Sequence, residues 1–178
     1  DLVDIMLQDS AQIQYYDTLW ENKKRERAGE ELIEPLYDSD DVVKTMQLFE
    51  PHYYDEMDEV TPNIKFRLQD AGHILGAAMI ELWVTEGDIT TKVVFSGDMG
   101  MPDHPLIRNP VMIDSADVVI MESTYGNTVH ADYKNSLDSL MEVINTTTDE
   151  GGTVIIPSFA IGRTQELLYE MNKYYEYG

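Results

Sequence analysis

The sequence contains no cysteine. Disulfides and thiolate metal sites are therefore excluded, and any metal must be held by His, Asp, Glu or water. A cysteine-free chain also suits a reducing compartment, so a cytoplasmic protein is expected. Long apolar runs are missing too: none approaches the ~20 residues that a membrane helix needs. Basic charge is scarce, with 12 Lys and Arg against 34 Asp and Glu, a formal charge of −22. Alone, that balance speaks against a nucleic-acid partner, which normally meets a basic face. Bound divalent cations, or basic groups elsewhere in a longer chain, would have to reverse it locally. Histidine is sparse as well: His52, His73, His104 and His130 stand far apart along the chain.

What is present is the makeup of a folded protein. Hydrophobic residues form 43% and aromatic residues 10% of the 178, as in globular rather than disordered chains. That length suffices for one domain, or one domain and part of another. The opening Asp1-Leu2-Val3-Asp4-Ile5-Met6-Leu7 lacks the basic start and apolar core of a signal peptide and reads as the inside of a helix. Residues 171–178 stop at a helix end. Both termini read as cut, so an interior piece of a longer protein is expected.

Apolar spacing predicts a helix over 1–28, closed by the basic stretch Lys23-Lys24-Arg25, which suits a helix C-terminus. A second helix should open at Ser39, with Asp40 and Asp41 in its first turn, and end near Pro51. The pattern then changes to strands. Residues 64–68 and 79–84 alternate, whereas 93–95 and 118–121 are continuous apolar runs expected to be buried on both faces. Helices are expected over 132–147 and 162–177, with a buried strand at 153–156 between them. Strands first paired as hairpins and then alternating with helices indicate a layered α/β protein.

Three side chains suited to chemistry fall just past strand ends. His73 lies in Ala71-Gly72-His73-Ile74-Leu75-Gly76, Asp98 in Ser96-Gly97-Asp98-Met99-Gly100, and Glu122 in Glu122-Ser123-Thr124-Tyr125-Gly126. Open α/β sheets place sites at strand ends, and the flanking glycines permit sharp turns and close backbone approach. Each has a plainer reading: a surface histidine, ordinary Gly-Asp turn chemistry, and a helix N-terminal carboxylate. It is their order and glycine contexts together that call for a functional reading.

These three segments, together with Ile156-Pro157-Ser158-Phe159-Ala160-Ile161-Gly162-Arg163-Thr164-Gln165-Glu166-Leu167-Leu168, resemble the metallo-β-lactamase fold nucleases that carry a β-CASP domain. That is the family of the RNA 3′-end-processing endonuclease and its bacterial and archaeal relatives. Asp9-Ser10-Ala11-Gln12-Ile13-Gln14 and Glu34-Pro35-Leu36-Tyr37 look like the bacterial branch. The resemblance implies a partial αββα metallo-β-lactamase sandwich over 1–125, followed by the start of a β-CASP α/β domain over 126–178. It implies RNA as partner and two Zn2+, with His73 a ligand of one zinc and Asp98 bridging both. Glu122 would orient a histidine ligand or a general acid. The metals would supply hydroxide for attack on a phosphodiester. The family's His-x-His-x-Asp-His string does not occur here, so the ligand set is incomplete and the segment by itself is expected to be inactive.

Ser158 and Arg163, at the start of the last helix, either hold an RNA phosphate or serve as cap and as partner of acids such as Glu166. His130 resembles a histidine that follows Tyr-Gly-Asn in the family, although Thr128 stands where a basic residue is common. His52 and His104, beside prolines, read as surface residues without function. Exposed apolar surface at the cut edges would invite association, a homodimer included. Two other functions fit some of the residues: a non-catalytic paralogue scaffolding an RNA-processing complex, and a hydrolase of a small thioester or lactone.

Overall fold

A computed structural model describes residues 2–129, 133–159 and 161–177. The chain divides into two compact units, Asp1–Pro51 and His52–Gly178. In the first, α1 (Leu2–Ala28) and α2 (Ser39–Met46) pack together. Ala11 and Val42 are its buried apolar residues. The α1 helix ends at Gly29, with φ of 72°, and Arg25 reaches Glu21 and Glu30 (3.7 and 3.4 Å). The end itself is made by Gly29 and the Glu30 N–H, which donates back to the Arg25 carbonyl (2.9 Å), and of the basic stretch only Arg25 lies in the last turn. The α2 helix starts in a capping box: Asp38 accepts from the Asp41 N–H, and Asp41 accepts from the Asp38 N–H. It stops at Met46, short of the expected Pro51: Gln47 is its C-cap, and the next bonds tighten to the turn type, with the Leu48 N–H donating to the Thr45 carbonyl (2.9 Å).

The second unit is built on a five-stranded sheet in the order β1 (Met57–Thr61), β2 (Ile64–Asp70), β3 (Ala78–Glu86), β4 (Ile89–Phe95), β5 (Val118–Ile120). The first four form an antiparallel meander, and β5 joins β4 in parallel. The parallel return is made by the long connection 96–117, which contains no helix. Two helices follow, α3 (Tyr133–Asp149) and α4 (Arg163–Tyr177). β1 has only Met57 and Val60 as apolar residues, neither alternating nor in a run, so the apolar pattern did not mark it.

Register divides the sheet into two unlike faces. Phe66 pairs with Leu82 and Leu82 with Val93, an apolar row. On the opposite face Arg67 pairs with Glu81, flanked by Gln69, Trp83 and Lys92. Among the described residues of this unit the buried apolar ones are few, Ala71, Met79, Val94 and Met141, while Glu81 is a large, fully buried side chain.

Two expectations are corrected. The run 118–121 does form a strand, but all three residues of β5 are exposed rather than buried, because it is the sheet's last strand and no described layer covers it. Residues 153–156 are not a strand, and Ile155 is 86% exposed. No described strand lies alongside to take up their N–H and C=O groups, and an unpaired strand has nothing to hold it extended.

Candidate active site

The His73 turn follows β2, the Asp98 turn follows β4 and Glu122 follows β5, so three of the motifs emerge from neighbouring parts of one sheet. Backbone contacts draw them together. The Gly100 N–H donates to the Ala71 carbonyl (2.8 Å), which stacks the turn holding Asp98 on the turn holding His73. Both glycines are required there. A Cβ at Gly100 would fall inside the Gly72 carbonyl, and one at Gly72 would lie 2.6 Å from the Pro110 nitrogen. Gly72 also has φ of 62°, and its N–H donates to Asp70 Oδ1 (2.9 Å), an Asx-type lock on the turn.

Glu122 is tied to the same place. The Met99 N–H donates to Glu122 Oε1 (2.8 Å), and the Glu122 N–H donates to Ser96 Oγ (3.2 Å). The Ser96 N–H in turn donates to the Ile120 carbonyl (2.9 Å). Its carboxyl is held below the usual range, first by the Met99 N–H, then by the Thr124 hydroxyl, with the charge of nearby His73 adding to both. The Glu122 side chain is therefore a carboxylate at neutral pH, oriented by backbone and placed within electrostatic reach of His73.

The fourth motif arrives from α4. Gly162, with φ of 86°, precedes its first turn, and the Gly162 N–H donates to Gln165 Oε1 (2.8 Å). A Cβ at Gly162 would lie 3.0 Å from Ile74 Cγ2, so this helix start abuts the His73 turn. Ser158 Oγ is hydrogen-bonded to Thr164 Oγ1 (2.9 Å), and Arg163 Nη1 donates to Glu166 Oε2 (2.7 Å). Arg163 thus pairs with Glu166, but Glu166 is no surface acid: it is 7% exposed.

His104 corrects a further expectation. Its ring is only 21% exposed, and Nδ1 lies 3.2 Å from Glu166 Oε1. His52 bonds Asp58 (2.7 Å) and packs edge-on to Phe66. His130 lies outside the described residues. The sequence reading missed Ser96, the Met99 backbone and the Glu166 group. Glu166 and Glu170 fall on the same stripe of α4 as the half-buried Leu167 and Met171, which was a legible sign of inward-facing acids.

Among the described residues no group of three His, Cys, Asp or Glu side chains is placed to hold a metal ion. One imidazole and one carboxylate, His73 and Asp98, fall short of the ligands that a single zinc takes.

No family model matches the chain. It is similar to an RNase J-like protein of Methanocaldococcus jannaschii, 40% identical over 145 residues, which are 80% of this chain and 34% of the relative. It is also similar to Endoribonuclease YSH1 of Kluyveromyces lactis, 34% identical over 79% of this chain and 18% of that one. Transcription termination factor FttA of Methanocaldococcus jannaschii is 32% identical over 90% of this chain and 26% of its own length. The chain spans about a third or less of the length of these relatives.

Proposed function

We propose that this chain, a homologue of the metallo-β-lactamase/β-CASP RNA nucleases over about four fifths of its length, forms part of an enzyme that hydrolyses RNA phosphodiester bonds. One observation carries the reading: four separated motifs meet at one end of the sheet, through Gly100 on Ala71, Met99 on Glu122 and Gly162 against Ile74. Nothing in the sheet's own stability asks for that convergence.

Within it, His73 and Asp98 offer an imidazole and a carboxylate on adjoining turns. Glu122 offers a fixed negative charge that favours a positively charged or N–H-donating partner. Ser158 and Arg163 stand at the start of α4, where hydroxyl, guanidinium and the positive end of the helix dipole suit an RNA phosphate. The division into a metallo-β-lactamase part over 1–125 and a β-CASP part over 126–178 belongs to this reading, as does a cytoplasmic location. Metal dependence belongs to it too. Among the described residues the donors do not accommodate two Zn2+.

The relatives named above are RNA enzymes or a transcription factor by their names, which weighs against a small thioester or lactone as substrate. The test is to offer the native-length protein labelled single-stranded RNA and, separately, thioester and lactone substrates. RNA cleavage abolished by a chelator is expected. Hydrolysis of the small substrates alone would overturn the reading, and no hydrolysis of either would favour the scaffold.

A further inference from the structure

A cluster centred on Glu166 lies beside the motif turns, and of its members the reading above uses Arg163 alone. Glu166, nine-tenths buried, is approached from three elements. Arg163 on its own helix reaches Oε2 (2.7 Å), His104 from the 101–110 loop reaches Oε1 (3.2 Å), and the Tyr133 hydroxyl at the start of α3 donates to Oε1 (3.4 Å). The His104 and Tyr133 rings also meet edge to face, with centroids 6.2 Å apart. Glu170, one turn further along α4 and 4% exposed, faces the same phenol and pairs with Lys173 (3.6 Å). Burial, then the two carboxylates, push the Tyr133 phenol up to about 12, so it stays a hydrogen-bond donor at any physiological pH.

A carboxylate with this many donors from separate segments acts as a fixed point. Arg163 is otherwise a long side chain, 61% exposed, whose rotamer freedom would have to be lost on binding an anion. Its ion pair with Glu166 removes that freedom beforehand, at a helix start that already touches the His73 turn.

We propose that Glu166 is a positioning residue: it ties the first turn of α4 to the His104 loop and α3, and thereby holds Arg163 ready for a substrate phosphate. This rests on the RNA reading above, and two measurements keep the failures apart. In this chain, the NMR signal of the Arg163 guanidinium should mark it as immobilised, and Glu166→Gln should return it to the averaged signal of a free arginine. In the native-length protein, Glu166→Gln should raise KM for RNA about five- to tenfold with a far smaller change in kcat. Arg163→Ala should do the same, and the double variant should be no worse than Arg163→Ala alone. An immobilised Arg163 in Glu166→Gln would overturn the proposal whatever the substrate. So would additive effects, or a fall in kcat that tracks loss of thermal stability and leaves KM unchanged. A protein that neither binds nor cleaves RNA, with the NMR result as expected, would remove the RNA reading and with it the phosphate as the group Arg163 is held for.

Discussion

Glu81, 1% exposed in the middle of the sheet, stays ionised because cations reach it from the strands on either side. Burial opposes its charge, but hydrogen bonds from Arg67 (2.6 Å), Lys92 (2.6 Å) and Gln69 (3.2 Å) outweigh that and hold it at about 2. The folded-state value lies below the ordinary one, so the stabilisation is complete above about pH 4.5 and lost as pH falls toward 2. It amounts to about 3 kcal/mol. Urea unfolding of the wild type between pH 5 and 2 should show this loss, and Glu81→Gln should lack it; identical slopes would show that other carboxylates govern acid unfolding. Glycines separate in the same way. Gly100→Ala should cost at least about 3 kcal/mol or displace the Asp98 turn, since the added carbon meets backbone that cannot yield. Gly87→Ala, with φ of 62° but open space around it, should cost only about 1–2 kcal/mol.

Among the elements, the helices were legible from their spacing and caps: α1, α3 and α4 lie where the apolar spacing put them, and α2 starts where its acidic first turn placed it but ends five residues short of Pro51. Capping is the local reason for α2: Asp38→Ala should cost about 1 kcal/mol, read from the chain's unfolding curve. Strands were legible where they alternate, as in β2 and β3, and misread where continuous apolar composition was taken for burial. β5 and residues 153–156 are equally apolar, yet one pairs with β4 and the other pairs with no described strand. Composition states what a segment would bury, whereas its neighbours decide whether it does. The site followed the same rule. His73, Asp98 and Glu122 stood out because strand ends and glycines flank them, while Glu166 and His104 acquire meaning only when α4 meets the 101–110 loop.

At the scale of the whole molecule, apolar surface is the dominant feature. Val119, Ile120 and Met121 around β5 are all more than half exposed, as are Leu168 and Tyr175 on α4. Surface of that kind is covered in stable proteins, by further chain or by a partner. This chain by itself should therefore bind a hydrophobic dye and associate with rising concentration in sedimentation experiments. A dye-silent monomer at high concentration would contradict that. The charge of −22 leaves RNA binding to local groups rather than to a general field, and Arg163, next to the Gly162 that abuts the His73 turn, is one such group. The most direct test of the account is RNA cleavage by the native-length protein and its His73→Ala and Asp98→Asn variants under identical folding controls. The account predicts a loss of at least about a hundredfold in both, with RNA binding largely retained. Cleavage at the wild-type rate by either variant would contradict it.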